Sequence, residues 1–508
     1  MARLLGLDFG TGGVRVGVFD LERRMMLGER EARYPTRYPH PGWAEQSPLD
    51  WWRAVGEATR ALMRDLGAPE IAGVCAATTA STVAVCTRQG EPLRPALLWM
   101  DCRAAKEADR TARSRHPVMA YSGGGDAAEW LVPKAMWLAD NEPETYARAE
   151  IICECLDYVN FMLTGRWVAS RMNAACKWNY DSAAGRFVEE IYAEFGVPDL
   201  PGKLPNAVYP VGAPIERLST AAAEHLGLRN RPVLAQGGID AHIGMVGADT
   251  MAPGELLLIG GTSAVQLFQL PCEAPVDGFW GPYPHALVDN HWLVEAGQVS
   301  AGSVLSWVSG DMFQLDDAGL EALYRAAEAL PVGGAGVLAL DFFMGNRTPY
   351  RDPLLRGAFL GLSLGHDRAA LYRAAVESVA LASAHVLKRM GELGVTCRRI
   401  VSAGGYSKNR LWLKATVDAM GLPVQLLPDA NLTILGAAAC AAAGAGLAAD
   451  LFAAAKAVAQ PSITVAPDMA AHARYRELLD EYLEATALLT PLLRRLAARQ
   501  LGGAAHAG

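Results

Sequence analysis

Between Leu4 and Phe19 the chain reads as an apolar run, a turn of Asp, Gly and Thr, and then an alternating series through Val14, Val16 and Val18. Alternation with a period of two belongs to a half-covered strand, and a glycine turn between two such runs predicts a hairpin. Glu255 to Gln269 repeats the form, with Gly260-Gly261-Thr262-Ser263 at its tip. A repeat distance of about 250 residues is too long for a solenoid and predicts two similar halves. We place them at residues 1–248 and 249–501, with 502–508 (GGAAHAG) as a flexible tail. A third glycine turn, Ile400 to Gly405, leads through Lys408 and Asn409 into an amphipathic stretch from Leu411 to Met420, which predicts strand, turn, helix. Residues 51–66, 134–149, 369–393 and 470–499 carry apolar positions at helical spacing, and Ile71–Ala76 and Val233–Gln236 read as short strands between them. This alternation predicts an α/β architecture. The Pro-containing stretches 35–48 and 200–214 predict irregular surface segments.

Composition narrows the function. A chain of 508 residues that is 51% apolar can build two or more cores. Its net charge is −8, without a basic run, which disfavours nucleic acid and anionic membrane as partners and leaves small-molecule chemistry. The nine cysteines are scattered, and Cys153-x-Cys155 has neither zinc nor thioredoxin spacing, so they read as reduced thiols, mostly in the core. No signal-peptide core precedes Asp8, and the apolar segment 434–448 is mostly Ala and Gly, so the protein is expected to be soluble and cytoplasmic.

The glycine turns are the first candidates for chemistry. Gly10, Gly12 and Gly13 leave backbone N–H groups open to a phosphate, with the Thr11 hydroxyl as a further donor. The alternative is a hairpin that only needs positive φ. Asp8 beside the turn favours phosphate, because an anion there makes sense through a divalent cation such as Mg²⁺. P-loop, protein-kinase and dinucleotide-fold signatures are all missing. Duplicated hairpins then fit an actin-like ATPase fold with a nucleotide between the halves. Asp240 follows a strand and Gly237-Gly238, a geometry that presents a carboxylate to a cleft or else caps a helix. Lys177, between Cys176 and Trp178, and Glu295, after Trp292-Leu293-Val294, are charges in apolar surroundings that need polar partners. His242 reads as local packing or capping on the first helical turn after Asp240. Asn346 and Arg347 read equally as a phosphate-steering or hinge pair and as a polar turn. Most tryptophans at helical spacing, including 51–52 and the region 130–137, are expected in the core.

Four motifs in order make the chain resemble the FGGY carbohydrate kinases: Leu7 to Arg15, Gly237 to His242, Gly260 to Ser263, and Ala403 through Asn409. Lys134-x-x-Trp137-Leu138 resembles the core of the family's first signature, and Gly357 to Glu377 its second. Ser122 to Trp130, Cys176 to Tyr180, Glu295 to Gln298 and Asp341 to Pro349 are most similar to the ribulokinase branch. The resemblance implies two actin-like (ribonuclease H-like) domains closing over a cleft and ATP-dependent phosphorylation of the terminal hydroxyl of a ketopentose. It implies Asp240 as catalytic base, and Lys177, Glu295, Trp99 and Ala80 around the sugar. Gly10 to Gly13, Arg15, Gly261, Thr262 and Ser263 would lie at phosphate, with Gly404, Gly405 and Asn409 at adenosine. Asp8 and Asp240 would organise Mg²⁺ largely through water, and the assembly would be a homodimer. The alternatives are a D-xylulose or polyol kinase of the same family, a non-catalytic sugar sensor on this fold, and an actin-like assembly or chaperone protein.

Overall fold

The computed structural model describes residues 2–334 and 336–504. Two sheets carry the duplication. In the first, the strands run in the order Pro214–Arg217, Val233–Ala235, Gly73–Thr78, Arg3–Phe9, Gly13–Asp20 and Met25–Arg33. Arg3–Phe9 pairs antiparallel with Gly13–Asp20 and parallel with Gly73–Thr78. The second sheet has the order Trp280–Pro284, Trp292–Gln298, Ala264–Leu270, Glu255–Gly260, Arg399–Gly404, Val424–Leu427 and Ile463–Val465. There Glu255–Gly260 pairs antiparallel with Ala264–Leu270 and parallel with Arg399–Gly404. A hairpin flanked by one parallel strand therefore recurs at the centre of each sheet. The central strands are buried along nearly their whole length, as parallel strands covered on both faces are.

Two helices join the halves. Asp240–Gly247 crosses Leu432–Gly444 so closely that a Cβ on Gly247 would lie 2.1 Å from the Leu432 carbonyl oxygen, and one on Gly436 would lie 2.0 Å from that of Ile243. The second helix belongs to the C-terminal half yet lies on the first sheet: Cβ atoms on Gly6 and Gly73 would meet the Ile434 and Ala441 oxygens at 2.8 and 2.5 Å. Its sequence of alanines and glycines is explained by this position, since a helix enclosed by a sheet on one side and a helix on the other is apolar all round and small where backbones touch. No helix among the described residues is long and apolar enough to cross a membrane.

Four expectations change. The helical stretch 134–149 is two helices, Leu131–Asn141 and Pro143–Arg148, because the residue before a proline is driven out of the helical region and Glu142 has φ −130°. The stretch 200–214 contains a one-turn helix, Leu200–Lys203, and a strand, Val208–Tyr209, which pairs with Ala169–Ser170. In 35–48, Glu45–Gln46 pairs with Ala96–Leu97 at the edge of a small four-stranded sheet. The C-terminal helix runs from Met469 to Ala504, so 502–504 continue it instead of fraying, and the rest of the expected tail, 505–508, lies outside the described residues.

Candidate active site

The first glycine turn is not a device for positive φ, since none of Gly10, Gly12 and Gly13 lies in the left-handed region. The three have different reasons to be glycine. A Cβ on Gly13 would strike the Ala32 oxygen at 2.7 Å, whereas one on Gly12 would meet nothing within 4 Å. Open space above a bare amide at Gly12 is what the approach of a phosphate requires. Thr11 is anchored from both sides: its hydroxyl accepts from Trp99 Nε1 at 2.9 Å and its carbonyl from Gln46 Nε2 at 2.6 Å. Asp8 is buried behind the turn, 3.3 Å from Arg15 Nη2. Burial pushes its carboxyl up to about 6 against the pull of Arg15.

The second turn is held by Gly261 N–H donating to Ser263 O at 2.8 Å and by Ala301 N–H donating to Thr262 O at 2.9 Å. A Cβ on Gly261 would meet only the Ser263 oxygen, at 3.6 Å. Beside it lies a cavity of about 540 Å³ bordered by Gly261, Thr262, Gly405, Lys408, Asn409 and Trp412. Gly404, expected at adenosine with Gly405, is glycine for a reason internal to the fold. It has φ +82°, and its missing Cβ would sit 2.3 Å from the Gly260 oxygen, so it answers to the close approach of two paired strands. Gly405 does face the cavity. Asn409 borders it as well, but its Oδ1 caps the helix Arg410–Met420 by accepting from Trp412 N–H at 3.0 Å, and its amide donates to the Tyr372 hydroxyl at 3.1 Å.

A second cavity, of about 360 Å³, lies between the halves and gathers Thr11, Ala80, Trp99, Lys177, Asp240, Ser263 and Glu295 with His242 and Arg347. Asp240 is brought there by a tight turn, because a Cβ on Gly237 would lie 1.8 Å from the Ala76 oxygen and one on Gly238 2.4 Å from Met172 Sδ. The helix cap at this end is Ile239, which offers no side-chain oxygen, and Asp240 Oδ1 accepts from the adjacent Ala241 N–H at 2.7 Å. Its carboxyl is pushed up to about 7 by burial first and by the negative charge of Asp8 second, with Ala241 N–H and Arg15 pulling the other way. Lys177 ends a helix of the first half and Glu295 sits on a strand of the second, and they pair across the cavity at 3.3 Å. Burial alone would raise Glu295, but Lys177, His242 and Arg347 outweigh it and hold the carboxyl down at about 2.

Three further residues belong to this cavity. His242 is buried, with neither ring nitrogen hydrogen-bonded among the described residues, and its Nε2 lies 3.8 Å from Glu295. Its burial agrees with the local packing expected of it, while neither ring nitrogen caps the helix. Burial depresses its pKa to about 4, so the ring is neutral at pH 7 and keeps one donor and one acceptor free. Trp130 also lines the cavity; the Lys177 ammonium lies 4.5 Å from its ring centroid, and Trp280 of the other half packs on it at 5.1 Å. Trp51 is core as expected. Asn346 and Arg347 separate: Asn346 ties a turn through paired backbone bonds with Asp352 and by accepting from Tyr350 N–H at 2.9 Å, while Arg347 faces the cavity.

Among the described residues no cluster of three or more His, Cys, Asp or Glu could cage a metal. The negative charge of Asp8 nevertheless raises the proton affinity of Asp240, and Glu29 and Glu31 raise that of Asp8, with the Arg15 guanidinium opposing both. Two under-compensated carboxylates beside a phosphate turn suit Mg²⁺, which keeps most of its waters and takes one or two carboxylates plus substrate phosphates.

A repeated hairpin core with an open amide turn at the tip of each copy, and a polar cavity between the copies, defines a kinase of the actin-like ATPase class. Residues 3–247 match the N-terminal domain model of the FGGY family of carbohydrate kinases, and residues 256–445 match its C-terminal domain model. The chain belongs to the FGGY family and is a sugar kinase. It is 30% identical over 488 residues to an FGGY carbohydrate kinase domain-containing protein of Xenopus laevis, covering 87% of this chain and 88% of the relative. It is 27% identical over 560 aligned residues to a ribulokinase of Shouchella clausii, covering 99% of each. The crystal structure of a xylulose kinase from Rhodospirillum rubrum superposes with a TM-score of 0.88 at 25% identity, over 97% of this chain and 99% of that one.

Proposed function

We propose that the protein transfers the γ-phosphate of ATP to the terminal hydroxyl of a ketopentose, with D- or L-ribulose ahead of D-xylulose and the polyols. The observation that carries this reading is the small cavity in which a carboxylate raised to about 7 faces a Lys–Glu pair contributed by the two halves. Similarity to a ribulokinase along the whole chain supports the choice of sugar.

In the reaction, the sugar oxygen forms its bond to the γ-phosphorus as the bond to the β–γ bridging oxygen breaks, and ADP departs. Asp240 takes the hydroxyl proton, and a partly desolvated carboxylate with raised proton affinity suits that role. Lys177 and Glu295 hold other hydroxyls, with Trp99 and Ala80 shaping the wall. The amides of residues 11–13 and 261–263 meet phosphate, and the larger cavity beside Gly405 takes the nucleoside. Asp8 and Asp240 are the side chains that would hold Mg²⁺, largely through water, and the ion when bound neutralises phosphate charge. Closure of the halves keeps water from the γ-phosphate. Nine free thiols, six of them buried, support a reducing, cytoplasmic setting.

The test is ADP release with MgATP across D-ribulose, L-ribulose, D-xylulose, L-xylulose, ribitol, erythritol and glycerol. A ribulose is expected to give the highest kcat/KM. Preference for xylulose or a polyol by tenfold or more overturns the choice of sugar, and binding of sugar and ATP without turnover overturns the enzyme in favour of a sensor.

His242 is expected to read the sugar through its free ring nitrogens. His242→Ala should raise the sugar KM by roughly tenfold, the value of one lost hydrogen bond to a polar substrate, while the ATP KM stays within about twofold. His242→Asn, which restores a donor and an acceptor, should recover part of the loss. Equal rises in both KM values would instead mean a general distortion.

A further inference from the structure

Two fully buried charges touch neither the cavity nor the proposed reacting atoms. Lys134 stands in the helix Leu131–Asn141, and Glu154 precedes the helix Cys155–Thr164. Both are 0% exposed. They meet at the backbone of one unusual residue, on the two peptide groups that flank its Cα: Ser81 has φ +61°, the left-handed region that a non-glycine residue seldom occupies unless held there. Ser81 N–H donates to Glu154 Oε2 at 2.7 Å, and Ser81 C=O accepts from Lys134 Nζ at 2.8 Å. Ala80, next in the chain, lines the sugar cavity.

The same charges reach two more segments of that wall. Lys134 Nζ donates at 2.7 Å to the carbonyl of Leu98, the neighbour of Trp99. Glu154 Oε1 accepts at 2.7 Å from Trp178 Nε1, the neighbour of Lys177, and its Oε2 also accepts from Asn173 Nδ2 at 2.8 Å. Ala80, Trp99 and Lys177 come from distant parts of the sequence, and each is one residue away from a group that these charges hold. Burial costs both charges: it pushes Lys134 down to about 7 and raises Glu154. A packed apolar pair would avoid that cost, so stability alone does not explain the charges.

We propose that Lys134 and Glu154 are positioning residues that fix the three wall segments bearing Ala80, Trp99 and Lys177, and so set the affinity for sugar without touching it. The inference rests on the sugar-cavity reading above. It also gives a physical task to the lysine of the Lys134-x-x-Trp137-Leu138 motif.

The experiment uses Lys134→Met and Glu154→Gln in the full chain, with two readouts. The first is amide hydrogen exchange without ligands. Peptides covering residues 79–82 and 97–100 are expected to exchange roughly tenfold faster in the variants, while a peptide covering residues 3–9 is unchanged. The second is steady-state kinetics with D-ribulose and MgATP. The sugar KM is expected to rise roughly tenfold or more, with the ATP KM and the sugar-independent ATP hydrolysis within about twofold of the parent. If Lys134→Met does not fold, the milder Glu154→Gln carries the test. Unchanged exchange with an unchanged sugar KM overturns the proposal, as do equal rises in both KM values. Failure of both variants to fold also overturns it, in favour of a purely structural role. If the parent does not turn over D-ribulose, the kinetics are run with L-ribulose, and if neither ribulose is turned over the choice of sugar fails, while the exchange readout still decides this proposal.

Discussion

Asp240→Asn is expected to lower kcat by roughly 10³-fold, within the range of 10²–10⁴ that a positioned general base contributes. The amide has nearly the same shape, and its Oδ1 can still accept the Ala241 N–H that the carboxylate accepts at 2.7 Å. What it loses is the capacity to take a proton from the attacking hydroxyl. Folding should not suffer, since the substitution removes a partly desolvated charge that Asp8 repels. The expected signature is therefore collapse of kcat with an unaltered melting temperature and with the sugar KM within a few-fold of the parent. Parent-like turnover in the variant sinks the assignment of Asp240 as base, whatever the fate of the sugar reading.

The pH profile offers a check on the same residue. A base must be ionised to act, so kcat/KM for the sugar falls as the pH drops through the pKa of Asp240. Burial and Asp8 set that value at about 7 in the free protein. A cation beside the carboxylate favours its ionised form and moves the limb downward. The acid limb is expected between about pH 4, the ordinary carboxylate range, and about pH 7, and it should vanish from the residual activity of Asp240→Asn.

How much of this was legible in the sequence follows from the range of the interactions. The hairpins at Leu4–Phe19 and Glu255–Gln269 are local features, set by alternation and glycine turns a few residues long, and the structure pairs them as read. Lys177 and Glu295 betrayed themselves by charge within apolar neighbours, and they meet at 3.3 Å. His242 did not, because the Glu295 carboxylate it lies beside arrives from a different sheet. Trp130 looked like any core aromatic; its place against Trp280 and Lys177 is tertiary. Gly404 was ambiguous for a related reason: a glycine that spares a ligand and one that spares a neighbouring strand look alike until the Gly260 oxygen is found 2.3 Å from the missing Cβ. Lys134 was visible as a motif, but the carbonyls it holds, Ser81 and Leu98, are set by the fold. Pro143 was a local signal that the apolar spacing obscured.

Gly436→Ala should cost both stability and turnover, and the contrast with Gly12→Ala shows why. By propensity alone, alanine in a helix interior is better than glycine by about 1 kcal/mol. At Gly436 the added carbon would lie 2.0 Å from the Ile243 carbonyl oxygen, a backbone atom that cannot rotate aside, so the crossing helices must separate. Overpacking of this kind costs about 1–3 kcal/mol, enough to outweigh the propensity gain and lower the melting temperature by several degrees. The helix displaced is the one that opens on Asp240, whose carbonyl already accepts from Thr433 Oγ1 at 3.3 Å, so the two open glycine turns shift against the carboxylate. A misplacement near 1 Å is worth roughly 10²-fold in rate, and kcat should fall by about that factor. At Gly12 the same methyl meets nothing within 4 Å, so Gly12→Ala should melt like the parent. It should instead raise the ATP KM by roughly tenfold, by standing where a phosphate approaches the amide. Reversal of the two patterns, with Gly12→Ala unstable and Gly436→Ala weak only toward ATP, would mean that the phosphate turn and the helix crossing have been assigned to the wrong glycines.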